Sequence, residues 1–377
     1  VEECREHVLR ALRARRRRGG RRKDCDEMTT AKVTGVSENS GFVHRNTALL
    51  AVEATEAQVP VSSDEIDEML APARRRLRLP RGILQRVAGV QERRWWRDTE
   101  SGWKQGIVLA AERAMSRAGI TRDQVGVMIN ASVSRQHLEP AVSASVHDAL
   151  GMPRSCLNFD ITNACLGFVN AMTVASGMIE SGQVQYALIV GAEDVEEVQR
   201  GTIGRLNAKG STRADFNNQF ASLTLGSGAA AAVLGKADEH PEGHRITLTQ
   251  ARAGTEHHDL CIGDMDDMRT DSEGLLENGI ELILDTWKAA NAAGHDFSGI
   301  EHVIPHQVSM VYTRNFSKIT GVGMERIPIT FPEWGNVAAE AVPMTLAMHQ
   351  ENISRGERVL LLGVGSGLNT AMMEVTW

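Results

Sequence analysis

Hydrophobic and polar positions repeat along this chain at two spacings. Ser62-Ser63-Asp64-Glu65 sets a hydroxyl three residues ahead of a carboxylate, the reciprocal capping arrangement that starts a helix. It predicts a helix running through Met69 and Leu70. From Thr99 to Ala118 apolar residues return at helical spacing, with Ile107, Val108, Ala111 and Met115 on one face. Short apolar runs at Val125 to Ile129, Leu157 to Ile161 and Tyr186 to Val190, the last ending at Gly191, predict buried strands. Helices alternating with such strands predict an α/β fold, with ordered structure beginning near Phe42.

An internal echo adds to this picture. Leu225-Gly226-Ser227-Gly228 opens an apolar run, and so does Val364-Gly365-Ser366-Gly367. Upstream, the segment from Ser181 to Gly191 matches the segment from Ser354 to Gly363. Phe159 to Cys165 lines up with Phe331 to Asn336, and Val127 to Ser134 with His302 to Ser309. One such echo is within chance for glycine-rich turns; four in the same order predict duplicated α/β halves. The expected division is an Arg-rich extension over 1–30, a first half over 31–240 and a second over 241–377.

The helix expected after Ile161 is apolar nearly all round, which predicts burial, and Cys165 sits at its mouth. Helix N-termini carry unpaired N–H groups and partial positive charge. A thiol placed there is expected to ionise more easily, and the thiolate is the nucleophile. The same N–H groups suit a developing oxyanion. Taken alone, a cysteine at a strand–helix junction more often just packs. His306 in Ile304-Pro305-His306-Gln307 and Asn336 in Gly335-Asn336-Val337 are likewise ordinary one at a time. Their placement with Cys165 at matching points of a repeat makes them a set. All three follow expected strand ends, where ligands gather in open α/β layers.

Composition narrows the class. The chain has 377 residues, is 42% hydrophobic and 24% charged, and has room for a large core. Its five cysteines (Cys4, Cys25, Cys156, Cys165, Cys261) show no CxxC spacing, and no apolar run is long enough to span a bilayer. These features predict a reducing, cytoplasmic setting. His257-His258-Asp259 is the nearest thing to a metal motif, but adjacent histidines do not converge on one face, so no metal is expected. The formal charge of −7 is uneven. Residues 1–28 hold ten basic and six acidic side chains, about +4, which leaves about −11 for the rest. An acidic body argues against nucleic acid as a partner. The basic head lacks interleaved aromatics and reads as a disordered tail, or as upstream sequence ahead of a start at Met28, rather than as a functional arm.

Four segments together resemble the Cys-His-Asn set of thiolase-fold condensing enzymes, and within them the β-ketoacyl synthase III group. They are Asn163-Ala164-Cys165-Leu166-Gly167-Phe168, Pro305-His306-Gln307, Gly335-Asn336-Val337 and Gly365-Ser366-Gly367-Leu368-Asn369. Val87 to Arg94 is similar to that group's Arg-Arg segment, and the likeness runs over roughly 40–377. Val133-Ser134-Arg135, Leu138-Glu139-Pro140 and the C-terminal stretch through Trp377 resemble the OleA-type branch, which joins two fatty acyl-CoA molecules head to head. The resemblance implies a fold of duplicated βαβαβαββ halves in five αβαβα layers and a homodimer. It also implies that Glu139 enters the partner subunit's site as a base. Decarboxylating synthases carry Gln-Ala-Asn-Xaa-Arg after the histidine. Here Gln307-Val308-Ser309-Met310-Val311 has no arginine, and Glu256-His257-His258 stands where the OleA-type branch has an aromatic.

The expected activity is therefore a non-decarboxylative Claisen condensation through acyl-Cys165, giving a 2-alkyl-3-keto acid or its CoA ester for olefin, β-lactone or ketone synthesis. His306 and Asn336 are expected to hold the enolate oxygen. The N–H of Cys165 and one near Ser366 and Gly367 would form the oxyanion site. Acyl-CoA is the expected substrate, no separate cofactor is expected, and downstream olefin-pathway enzymes are possible partners. The main alternative is a decarboxylative β-ketoacyl synthase III using malonyl-ACP. A simple acyltransferase and a degenerate subunit of a heterodimer are further rivals.

Overall fold

The computed structural model describes residues 41–98 and 100–377. The Arg-rich extension expected over 1–30 lies outside the described residues. Nine strands form one hydrogen-bonded sheet: β1 (Gly41–Glu56), β2 (Val125–Asn130), β3 (Leu157–Asp160), β4 (Tyr186–Glu193), β5 (Gly228–Lys236), β6 (His244–Ala253), β7 (His302–Pro305), β8 (Arg358–Gly365) and β9 (Asn369–Thr376). Their order is β7-β8-β9-β6-β1-β5-β4-β2-β3. The seven helices that matter below are α1 (Ser63–Met69), α2 (Gly102–Arg117), α3 (Val142–Ala149), α4 (Gly167–Glu180), α5 (Ser272–Ala292), α6 (Met310–Thr320) and α7 (Ala341–His349).

The expected repeat is visible in the pairing. β2 lies parallel to β4, which turns back antiparallel onto β5. In the second half β7 lies parallel to β8, which turns back antiparallel onto β9. The two halves join where β1 runs antiparallel to β6. The echo between Phe159 and Phe331 is the exception, because β3 has no strand counterpart. Its place is taken by the short helix Phe331–Trp334 and a single bridge from Asn336 to Leu225.

Strand alternation sorts the side chains into layers. Ile189, Ala232, Leu361 and Met373 face a central core that contains Phe168, Val169 and Met172 of α4 and Val342, Met344 and Leu346 of α7. Leu188, Val190, Ala231 and Val233 point the other way, onto Ile107, Ala111 and Met115 of α2 and Val146 of α3. Leu360, Leu362 and Met372 pack on Ile283 of α5 and on Tyr312 and Phe316 of α6. The result is the five-layered thiolase arrangement, with α4 and α7 between the two half-sheets. Register shifts in β1 between Val43 and Thr47 and between Leu49 and Ala51 let one sheet bend round both central helices.

The local expectations hold with three adjustments. Ser62 caps α1 as expected: its hydroxyl accepts from the Glu65 N–H at 3.1 Å, and the Glu65 carboxylate accepts from the Ser62 N–H at 2.7 Å. Leu157 to Ile161 is not a buried strand; β3 is the sheet edge, and Leu157 is 56% exposed. Helix α4 begins at Gly167, so Cys165 lies in a turn ahead of it, and Val174 on that helix is exposed. Among the described residues no helix is long and apolar enough to cross a membrane.

Candidate active site

Cys165 lies in the tight turn between β3 and α4. The Leu166 N–H donates to the Asn163 carbonyl at 3.0 Å and the Gly167 N–H to the Ala164 carbonyl at 3.1 Å. The turn requires Ala164 to adopt φ 45°, a left-handed conformation that costs a residue with a Cβ roughly 1–2 kcal/mol. Asn336 stands at the equivalent point of the second half, and the residue before it, Gly335, has φ 68°. The repeat therefore reuses one backbone device: a positive-φ residue turns the chain sharply and sets the next side chain at the strand end.

The second half closes onto the Cys165 turn through small residues. A Cβ at Gly365 would lie 2.7 Å from the Asn163 carbonyl oxygen and 3.4 Å from the Leu166 nitrogen. Only glycine lets β8 end against this turn, which puts Ser366 and Gly367 beside the mouth of α4. Asn369 then donates to Asn163 Oδ1 at 3.2 Å, while Asn163 Nδ2 donates to Asn170 Oδ1 at 2.8 Å. Two amides thus bridge the C-terminal motif to the first turn of the central helix.

His306 follows β7 directly, and its N–H donates to the Leu362 carbonyl at 2.7 Å. The ring is buried, Nδ1 has no partner among the described residues, and the ring contacts the Ala338 backbone. Burial lowers its pKa to about 4, so the imidazole is neutral at neutral pH. Asn336 is held through its backbone: its N–H donates to the Thr224 carbonyl and its carbonyl accepts from the Gly226 N–H, both at 2.9 Å. Its Oδ1 accepts from the Ala338 N–H at 2.9 Å, so the amide NH2 is the donor that remains for a ligand. Ala338 thus links His306 and Asn336 into one unit.

The turn that grips Asn336 is braced from behind. Arg93, fully buried, donates to Val61 and Leu223 carbonyls at 3.3 and 3.0 Å and to the Ser63 hydroxyl at 3.0 Å. Burial lowers its pKa to about 10. At Gly226 a Cβ would collide with the Trp334 carbonyl oxygen, a backbone atom that cannot swing away. Gly226→Ala is therefore expected to cost on the order of 3 kcal/mol of stability, read as a lowered urea midpoint at unchanged m.

The electrostatics correct one expectation. Burial pushes the Cys165 thiol well above its ordinary value, and Glu193 and Cys261 push it the same way, against a smaller opposing backbone hydrogen bond. The helix mouth does not leave a resting thiolate; thiol and imidazole are both neutral before substrate binds. Glu139 lies on the exposed loop 133–141, where Leu138 is 84% exposed. Among the described residues no hydrogen bond or ion pair joins Glu139 to Cys165, His306 or Asn336. Glu193, Glu340 and Tyr312 are buried polar groups near this centre that the sequence did not single out. Among the described residues neither carboxyl oxygen of Glu340, which lies over Gly191, has a hydrogen-bond partner, nor does the Tyr312 hydroxyl. Among the described residues no group of three or more His, Cys, Asp or Glu side chains is placed to hold a metal ion.

Residues 159–199 match the 3-oxoacyl-[acyl-carrier-protein (ACP)] synthase III family, and residues 290–377 match its C-terminal family. An acyl-CoA:acyl-CoA alkyltransferase of Xanthomonas campestris pv. campestris is 36% identical over 339 residues, covering 89% of this chain and 100% of the relative. A β-ketoacyl-[acyl-carrier-protein] synthase III of Sodalis glossinidius is 30% identical over 289 residues, covering 74% of this chain and 85% of the relative. A crystal structure of a Cys-to-Ser variant of Xanthomonas campestris OleA with bound lauric acid and lauroyl-CoA superposes with a TM-score of 0.84. It is 35% identical and covers 89% of this chain and 100% of that one.

Proposed function

The chain belongs to the OleA-type acyl-CoA:acyl-CoA alkyltransferases, a branch of the β-ketoacyl synthase III group, and we propose that it condenses two fatty acyl-CoA molecules without decarboxylation. The observation that carries this reading is the likeness to an acyl-CoA:acyl-CoA alkyltransferase over that relative's whole length, against a shorter and weaker likeness to a synthase III.

The first step is thioester exchange. Cys165 attacks the acyl-CoA carbonyl, its proton passes to the neutral His306 ring, and CoA leaves with that proton as the free thiol. The Cys165 N–H and an N–H at Ser366 or Gly367 stabilise the oxyanion, a donor pair of which each member is typically worth about 3 kcal/mol. The second acyl-CoA then binds with its thioester oxygen toward the Asn336 amide and His306. Glu139 of the partner subunit removes its α-proton, and the enolate carbon attacks acyl-Cys165. The Cys165 thiolate is expelled, leaving a 2-alkyl-3-ketoacyl-CoA, and hydrolysis gives the β-keto acid. A homodimer is part of this proposal, because Glu139 is exposed and makes no hydrogen bond to its own subunit's centre among the described residues. So are a cytoplasmic location and delivery of the keto acid to olefin-pathway enzymes.

Incubation with a single medium- or long-chain saturated acyl-CoA tests the reading. Free CoA and a β-keto acid, or the ketone left when that acid loses CO2, are expected. Inertness toward acyl-CoA together with CO2 release from a malonyl thioester would assign the chain to the decarboxylating synthases instead.

A further inference from the structure

Glu193, the last residue of β4, is 2% exposed and takes no part in the chemistry above. Its Oε1 accepts from the Val133 N–H at 2.9 Å. Its Oε2 accepts from the Ser134 N–H at 3.0 Å and the Ser134 hydroxyl at 2.6 Å. The end of β4 also packs on the 338–340 turn, with the Ala339 backbone N–H facing the carboxylate. The Asp194 N–H returns to the Ser134 hydroxyl at 3.0 Å. One carboxylate therefore ties together two segments distant in sequence. The first is the root of the loop that carries Glu139, five residues beyond Ser134. The second is the 338–340 turn, whose Ala338 holds Asn336 and touches His306.

A buried charge is tolerated only where donors replace water; here the three hydrogen bonds come from the loop root, and the 338–340 turn closes over the same carboxylate. We infer that Glu193 is a positioning residue for condensation, setting the register between the Glu139 loop and the Asn336–His306 turn. This rests on the assignment of Glu139 as the base acting in the partner subunit. A loop leaving the subunit must present its carboxylate at a fixed angle, and small misplacements of catalytic groups are costly. Acyl loading uses Cys165 and His306 without Glu139, so it does not depend on the loop's angle.

The ionisable groups facing Glu193 are Cys165 at the mouth of α4 and Glu340 of the 338–340 turn. Burial holds the Glu340 carboxyl well above its usual range, so it stays neutral beside Glu193. Burial likewise raises Glu193 to about 7, against the pull of its hydrogen-bond donors at Val133 and Ser134. Those donors hold the ionised form. The clamp is therefore closed above about pH 7 and opens as Glu193 takes up a proton below it.

Glu193→Gln keeps the shape but turns an amide NH2 toward an N–H donor. Condensation turnover is expected to fall about 10- to 100-fold, with acyl loading, read by intact mass, not reduced, since removing the Glu193 charge lifts one of the pushes that raise the Cys165 thiol. The parent's condensation rate should decline on the acid side of about pH 7, and that limb should be absent from Glu193→Gln. Equal losses of loading and condensation, an unchanged condensation rate, or persistence of the acid limb in the variant would each overturn the inference. If Glu193→Gln does not fold, Ser134→Ala removes one clamp donor; a condensation loss of about 3- to 10-fold with loading intact is expected, and no loss would sink the idea. Glu139→Ala run in parallel separates the two proposals. Retained condensation there refutes the base, whereas its loss beside a fully active Glu193→Gln refutes only the clamp.

Discussion

Cys165→Ala is expected to abolish acyl loading, with turnover reduced by at least about 10⁴-fold, the scale seen when a covalent nucleophile is removed. The reason is geometric. The strained turn at Ala164, the first N–H groups of α4 and the Gly365 approach of β8 converge on Cys165. The other two described cysteines lack this setting: Cys156 is buried, with its thiol raised to about 11, and Cys261 lies on the short strand Cys261–Gly263. Intact-mass measurement after exposure to acyl-CoA decides the matter. The parent and Cys261→Ala should gain one acyl mass and Cys165→Ala none. An acylated Cys165→Ala would remove Cys165 from the mechanism.

Glu139→Ala is expected to do the opposite, leaving acyl-Cys165 formation intact while condensation falls by about 10²- to 10⁴-fold, the usual loss of a general base. A malonyl-type reaction generates its carbanion by losing CO2 and needs no such base. Two simple acyl-CoAs offer only an α-proton that a positioned base must remove in a water-poor site. The exposed position of Glu139 adds a sharper test. Mixing Cys165→Ala with Glu139→Ala subunits, followed by exchange, gives heterodimers with one complete site. Condensation should return to about a quarter of the parent rate, since half of the dimers are mixed and each has one working site of two. No recovery, with exchange verified, would place the action of Glu139 within its own subunit or remove it altogether.

Much of this centre was legible in the chain because it is built from short-range devices. A cap such as Ser62 and Glu65 is satisfied within three residues. Apolar runs such as Tyr186–Val190 report burial on both faces of a central strand. Cys165, His306 and Asn336 each sit beside a turn that the duplication repeats, so comparison of the halves aligned them before any fold was known. Two misreadings have the same origin in reverse. Leu157 to Ile161 alternates apolar Leu157, Phe159 and Ile161 with polar Asn158 and Asp160, and β3 ends the sheet, a position that depends on strand order. The thiol's ionisation is not set by the helix mouth alone: burial and Glu193, brought from β4, outweigh it.

Glu193, Glu340 and Arg93 mark the limit of such reading. Each is a charged residue type at a fully buried place, and composition predicts the surface for all of them. Their roles exist only because segments distant in sequence meet: Arg93 with Leu223, 130 residues away, and Glu193 with Ser134, 59 residues away. The sequence by itself determined the α/β repeat, the Cys-His-Asn set and the chemistry those side chains permit, since these follow from local periodicity and residue type. Tertiary structure alone decided the neutral resting state of Cys165 and His306, the free amide of Asn336 and the clamp on the Glu139 loop. Desolvation and hydrogen-bond satisfaction depend on which distant segments close around a group, and hydrophobic spacing along a chain carries no record of that.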